Sequence, residues 1–255
     1  MGEEKFLVIR EEVLFGRETP PNGFLRKEET IIPSPDQLVI PGTFRFQTQD
    51  RITPESEYKQ IILYGMLLNS DTSSVLTIRR RDENIGKTPS EFEELWTFGI
   101  NGGVRLQDHY GQGGRQIFGE QLLRETLLGI ISAEIKINGD VGEVEHIGYI
   151  NEENPKDLGL EPQDYEPEMF GVVYVMRTNA TKARLKRTRT YEGNTINLNA
   201  EMKNLSEVQK IYGYAIDERE NPRGRRTYLD PWSELTHSAM LQALQTPRDL
   251  LERNR

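Results

Sequence analysis

One short segment, from Gly119 to Ile131, constrains the fold more than any other part of this sequence. Residues that favour a helix run from about Glu120 to Ala133, directly after a loop at 108–119 that holds four glycines. Strand-like segments lie before the loop and after the helix. A helix placed between strands in this way indicates a fold that combines both element types in one unit.

Apolar segments rich in β-branched residues predict strands along much of the chain. The longest covers Tyr58–Leu68, and Asn69-Ser70-Asp71 provides the turn to the next strand. A last helix is predicted to begin at Asp230-Pro231, where an acidic N-cap precedes proline at the first helical position, and to reach about Leu244. Further strands are predicted at 6–9, 74–80, 95–100, 104–106, 143–150 and 169–177. We therefore predict an α+β fold with a mixed β-sheet.

The N-terminal part differs in composition from the rest. Residues 15–55 are rich in Pro, Gly, Thr and Asp, which is typical of short strands joined by turns. We predict that residues 1–57 form an arm packed on a core domain at 58–255, which includes the C-terminal helix. No linker separates the two, so one structural unit is expected.

Composition excludes several classes of function. The formal net charge is -9, which disfavours binding of a nucleic-acid polymer because phosphate backbones favour basic surfaces. The absence of cysteine excludes disulfides, thiol nucleophiles and thiolate metal sites. No apolar run reaches the roughly 18 to 20 residues of a membrane helix, so no membrane association is expected. A cytoplasmic location is the expectation.

The motif Arg124-Glu125 stands in the predicted helix, and other short motifs precede and follow it in a definite order: Phe6–Arg10, Leu14-Phe15-Gly16, Gly23-Phe24, Lys59–Tyr64, Arg79-Arg80, Gly99–Gly103, Phe170–Tyr174 and Trp232-Ser233. Together they resemble the bacterial "predicted phosphoesterase" branch of the Nudix superfamily. The box of that family reads Gly, five residues, Glu, seven residues, then Arg-Glu-apolar-any-Glu-Glu-any-Gly-apolar. The resemblance implies a Nudix-like α/β/α sandwich with a mixed β-sheet, a nucleoside-diphosphate-type substrate and dependence on Mg²⁺.

The box departs from this pattern at the metal-binding positions. Gln116 stands where the first glutamate would be, and Leu128 and Gly129 replace the Glu-Glu pair. Positions i, i+3 and i+4 share one helix face, so three carboxylates there would hold Mg²⁺. Only Glu125 remains, as the candidate for both catalysis and metal binding, and a purely structural role for it is the alternative. Mg²⁺ is therefore expected only if the protein is active.

Two further acids are candidates for the metal site. Glu120 lies five residues before Glu125, about 140° around the helix, so a bend would be needed to bring both to one face. Asp108 lies in the glycine-rich loop and could reach the site from there. Gly129 costs roughly 1 kcal/mol relative to alanine in mid-helix, which favours an early helix end or close packing there over close approach of a ligand.

Candidate ligand contacts combine basic residues with glycines, namely Arg80, Gly102, Gly103, Arg115 and Arg124. Arg115 follows a glycine-rich turn before the helix, where backbone N–H groups could cradle a phosphate; a flexible insertion is the alternative. Arg80 could equally be a solvated edge charge, and Arg124 could instead hold loop carbonyls.

Three functions compete at this point. The first is a Nudix-fold protein with a degenerate box that binds a nucleotide-like or phosphorylated small ligand, with weak or no hydrolysis. The second is an active Mg²⁺-dependent phosphohydrolase of nucleoside-diphosphate derivatives with a non-standard metal site. The third is a scaffold for protein interaction or homodimerisation. The fold alone does not decide among them, because function belongs to the site.

Overall fold

The computed structural model describes residues 3–18, 21–52, 57–82, 93–111, 114–151, 169–186, 189–191, 194–220 and 227–245. The elements in chain order are β1 (Lys5–Arg10), α1 (Glu11–Phe15), β2 (Gly23–Arg26), α2 (Pro35–Leu38), β3 (Phe44–Thr48), β4 (Tyr58–Asn69), β5 (Ser74–Asp82), β6 (Glu93–Thr97), β7 (Ile100–Gly103), α3 (Gly119–Glu134), β8 (Ile135–Ile137), β9 (Val141–Asn151), β10 (Met169–Thr178), β11 (Ala183–Leu185), β12 (Arg189–Tyr191), β13 (Asn194–Asn204), α4 (Leu205–Glu220), β14 (Thr227–Leu229) and α5 (Pro231–Gln245).

The predicted α+β class is confirmed. The predicted central helix appears as α3 and the last helix as α5. Strand pairing is antiparallel in β1 with β4 and in β5 with β13, whereas β14 pairs with β6 in parallel, so the sheet is mixed. The prediction of a strand at 104–106 was wrong, because β7 ends at Gly103 and a 3-10 turn begins at Leu106.

Contacts divide the chain into two compact units, and the first contains Met1–Tyr64, Asn101–Ile130 and His146–Tyr174. Within it, β1 pairs with β3 and with the start of β4, and β2 pairs with β9. Its core includes the fully buried Leu7 and Ile9 of β1 and the apolar face of α3 with Leu123 and Leu127. The predicted boundary between arm and domain at residues 57 and 58 stays a prediction.

The second unit contains Gly65–Ile100, Ile131–Glu145 and Val175–Arg255. Here β5 pairs with β13 on one side and with β6 on the other. Asp230 caps α5 as predicted: its Oδ2 accepts the Ser233 backbone N–H at 2.9 Å and the Ser233 hydroxyl at 2.7 Å. The Ser233 Oγ in turn accepts the Phe98 N–H at 2.8 Å, which fixes α5 to the chain after β6.

The sequence also carried two helix starts that were not predicted. Before α4, Asn204 and Glu207 form a reciprocal capping box, in which each side chain accepts the backbone N–H of the other at 3.0 and 3.2 Å. Before α2, Ser34 donates its N–H to Gln37 Oε1 at 3.1 Å, and Pro35 occupies the first helical position. Both motifs could have been recognised from the spacing of these residues.

In the described residues, no helix is both long enough and apolar enough to cross a membrane.

Candidate functional site

The first turn of α3 is fixed by a segment of the N-terminal region. Gly119 has φ +61°, a left-handed conformation that favours glycine, and donates its N–H to the Val39 carbonyl at 2.8 Å. The next N–H, from Glu120, donates to Asp36 Oδ1 at 2.8 Å. The Asp36 carboxylate thus satisfies an N–H that the helix itself leaves without a partner, and its charge faces the positive end of the helix dipole.

The outer face of α3 forms one wall of an open cleft of about 490 Å³. Gln121, Glu125 and Leu128 follow one another along this wall at helical spacing. Gln121 Nε2 donates a hydrogen bond to Glu125 Oε1 at 2.8 Å, which restricts the rotamer of the glutamate. The cleft therefore has an acidic group held in place on one side, with an apolar side chain beside it.

The loop before α3 also lines the cleft, through Gly111, Arg115 and Ile117. Three backbone hydrogen bonds shape it: Gly111 N–H to the Arg115 carbonyl at 2.9 Å, Gly114 N–H to the Gly111 carbonyl at 3.0 Å, and Ile117 N–H to the His109 carbonyl at 3.0 Å. Two of the predicted site residues, Arg115 and Glu125, are thereby brought to one cleft. The structure describes no ion pair or hydrogen bond of the Arg115 guanidinium.

A buried aromatic cluster supports this loop. The His109 ring lies 4.8 Å from the Phe118 ring and 5.7 Å from the Phe44 ring, both edge-on, and only 5% of His109 is exposed. Phe118 directly precedes α3, so the cluster ties the loop to the start of the helix. The Nδ1 atom of His109 has no hydrogen-bond partner in the described part of the chain.

Glu120 and Arg124 lie on a different side of α3 from Glu125. Arg124 Nε lies 2.8 Å from Glu120 Oε1, in an ion pair whose N–H is not aligned for a hydrogen bond. Burial, and to a lesser degree the nearby Glu120 carboxylate, raise the pKa of Tyr174 well above its ordinary value. The Glu120–Arg124 pair therefore faces the side of the helix where Tyr174 is buried, and neither residue lines the cleft.

Asp108 is engaged within its own turn. Its Oδ2 accepts the Arg105 backbone N–H at 2.7 Å, which caps the 3-10 turn at Leu106–His109. Arg105 in turn pairs with Glu4 at 3.1 Å. Burial raises the pKa of the Asp108 carboxyl, while the hydrogen bond from Arg105 acts in the opposite direction. Asp108 is thus placed to stabilise the loop.

These positions do not suit the three-carboxylate metal site that the box would need. Among the described residues, no group of three or more His, Asp or Glu side chains is placed to hold a metal ion. Glu125 shares the cleft with Leu128, and Gly129 offers no donor atom. Mg²⁺ binds six oxygen ligands, and here almost all of them would have to come from water and from a bound ligand.

Gly129 differs from its sequence-based interpretation. The helix continues to Glu134, five residues beyond it, and a Cβ on Gly129 would meet no atom within 4 Å. Neither an early helix end nor close packing explains this glycine, so that prediction was wrong.

The remaining predicted ligand contacts are Gly102, Gly103 and Arg80. A Cβ on Gly102 would lie 2.7 Å from Ile130 Cδ1, and one on Gly103 would lie 2.9 Å from Phe6, so both glycines permit close packing. Arg80 lies in β5 opposite Leu95 of β6 and Leu198 of β13, and its side chain lies outside the described residues. Ligand contact by Arg80, Gly102, Gly103 and Arg124 stays a prediction.

Sequence reasoning missed Gln121 and Ile117 as cleft residues and Asp36 as a cap of α3. The spacing of Gln121, Glu125 and Leu128 was a signal, since positions i, i+4 and i+7 share a helix face. Asp36 gave no such signal, because its contact lies 84 residues away along the chain.

No protein-family model and no curated protein matches the sequence. Among solved structures, the crystal structure of Tm1382, described as "a putative Nudix hydrolase", is similar with a TM-score of 0.59 and 18% identity. The similarity covers 94% of this chain and 100% of that chain. At this level of identity the likeness concerns the fold alone. The chain therefore has a Nudix-like fold.

Proposed function

We propose that the protein binds a phosphorylated or nucleotide-like small molecule in the cleft between α3 and the preceding loop, with weak or no hydrolysis. The observation that carries this proposal is that Arg115 and Glu125 line one cleft together with Leu128, which stands at a metal-carboxylate position of the box. The cleft keeps a cation for an anionic ligand and lacks the acids that would activate a water through Mg²⁺.

The cation suits a phosphate. Arginine presents several N–H groups in a planar fork that matches phosphate oxygens. Arg115 is exposed and stands on a loop held by backbone hydrogen bonds, so a ligand can reach it without displacing a protein partner described in the structure. The volume of about 490 Å³ falls within the range of small-molecule sites.

The acids that could have restored hydrolysis are engaged elsewhere. Glu120 pairs with Arg124, and Asp108 caps its own turn. Activity through Glu125 alone would require the ligand and water to supply nearly all the oxygen donors around the metal.

Substitution of Glu125 by glutamine distinguishes binding from metal-dependent hydrolysis. If a phosphate ester binds Arg115 without metal, removing the negative charge of Glu125 strengthens binding, because like charges in one cleft repel. If the ligand binds through Mg²⁺ held by Glu125, the same substitution weakens binding. Affinities for a panel of nucleoside phosphates are measured by calorimetry with EDTA and with Mg²⁺ or Mn²⁺, and turnover is followed by phosphate release.

Arg115→Ala is the second test, with Arg51→Ala as its control because Arg51 is exposed on the same unit away from the cleft. Arg115→Ala should lower the affinity for nucleoside phosphates about tenfold or more, the range for a charge-assisted hydrogen bond, and Arg51→Ala should not. If the wild type shows metal-dependent turnover that disappears in Glu125→Gln, the protein is an active phosphohydrolase and the proposal is wrong. Absence of both binding and turnover would refute the proposal and leave the interaction scaffold.

A further inference from the structure

The cleft carries a second polar feature besides its cation. Glu125 Oε1 accepts a hydrogen bond from Gln121, whereas Oε2 has no hydrogen-bond partner among the described residues. The Gln121 bond restricts the rotamer of Glu125, which lines the cleft, so less side-chain entropy is lost when a ligand binds this carboxylate. A carboxylate so placed is an acceptor for an N–H group or an ammonium.

Two apolar side chains also line the cleft. Ile117 on the loop is buried and Leu128 on α3 is partly buried, and both line the same cleft. An apolar patch next to a cation and an anion suits a ligand with a short carbon framework between two polar ends. The protein as a whole carries a formal net charge of -9, so a purely anionic ligand meets an unfavourable field that a cationic group on the same ligand would offset.

From this arrangement we infer that the cleft selects phosphate esters that also carry a protonated amine or a comparably strong N–H donor. Arg115 binds the phosphate, Glu125 Oε2 accepts from the nitrogen, and Ile117 and Leu128 cover the carbon framework. This inference rests on the proposed function, since it assigns the phosphate to Arg115. Glu125 becomes a specificity-determining residue in place of a metal ligand.

The test compares two phosphate esters of similar size, phosphoethanolamine and glycerol phosphate, by calorimetry in EDTA at low ionic strength. The wild-type protein is expected to prefer phosphoethanolamine. Glu125→Gln should weaken phosphoethanolamine binding by about two- to fivefold, the range for a partly exposed ion pair. The same variant should leave glycerol phosphate binding unchanged or tighter, because only a repulsive charge is removed.

Glu29→Gln is the matched control, since Glu29 is exposed on the same unit and does not line the cleft. It should leave both affinities unchanged. Circular dichroism of each variant establishes that the fold is retained, and weaker binding of phosphoethanolamine alone cannot arise from general destabilisation.

Each outcome separates the two proposals. If both esters bind through Arg115 but Glu125→Gln shifts them equally, the amine inference is overturned and the proposed function stands. If neither ester nor any nucleoside phosphate binds, the proposed function itself fails. If glycerol phosphate binds more tightly than phosphoethanolamine, Glu125 does not select an amine.

Discussion

Asp36 and Glu120 are joined by a hydrogen bond from the Glu120 backbone N–H to Asp36 Oδ1 at 2.8 Å. The two residues are 84 positions apart, so a short helix of the N-terminal region caps the helix that carries Glu125. A helix leaves its first N–H groups without internal partners, and a carboxylate there also interacts favourably with the helix dipole. The orientation of the cleft wall thus depends on a residue well outside the Arg-Glu motif.

Asp36→Ala should lower the free energy of unfolding by about 1 kcal/mol, the usual cost of losing a side-chain cap. Asp36→Asn should keep most of this stability, because the amide oxygen still accepts the N–H although the charge is lost. Both are measured by urea denaturation. Asp50→Ala, an exposed acid on the same unit, is the control and should change little. Equal stability of Asp36→Ala and wild type would show that the contact does not stabilise α3.

Two glycines of α3 should respond oppositely to alanine. Gly129 is exposed with open space around it, so Gly129→Ala should raise the free energy of unfolding by up to about 1 kcal/mol. Gly119 has φ +61°, and a Cβ there would clash with the Asp36 carboxylate. Gly119→Ala should therefore lower the free energy of unfolding by about 1 to 3 kcal/mol. Thermal or urea denaturation of both variants provides the measurement. A destabilised Gly129→Ala would indicate an unrecognised packing or ligand role.

Local sequence patterns predicted much of the fold but only part of the site. The strand at Tyr58–Asn69 and the helix at Gly119–Glu134 follow from periodicity and turn residues that act over a few positions. Arg115 and Glu125 were each predicted as site residues, but the sequence did not predict that they line the same cleft. The capping of α3 by Asp36 could not be predicted, because it depends on tertiary packing. Helix geometry predicted that Glu120 and Glu125 lie on different faces of α3, but it did not predict the partner of Glu120.

Adding two carboxylates next to Glu125 should create a Mg²⁺ site on α3. In Leu128→Glu/Gly129→Glu, two acids would stand beside Glu125 on α3, and open space at Gly129 allows the longer side chain. Mg²⁺ should then bind measurably by calorimetry and raise the melting temperature, because three carboxylates supply oxygen ligands that one cannot. Leu128→Gln/Gly129→Gln has side chains of the same size without charge and should not respond. An equal Mg²⁺ response of wild type and the glutamate variant would mean that Glu125 already has sufficient partners.

His237 in α5 should make stability depend on pH. Its ring stacks on Tyr212 with centroids 3.7 Å apart, it is 8% exposed, and burial lowers its pKa below the ordinary value of 6.5. The unfolded chain therefore binds a proton more readily than the folded chain, so stability is fully present above about pH 6.5 and falls as pH decreases towards the folded pKa. His237→Phe keeps an aromatic ring against Tyr212 and should flatten this dependence between pH 5 and pH 7, measured as the free energy of unfolding in urea at each pH. If the variant retains the full slope of the wild type, the pH dependence does not arise from His237.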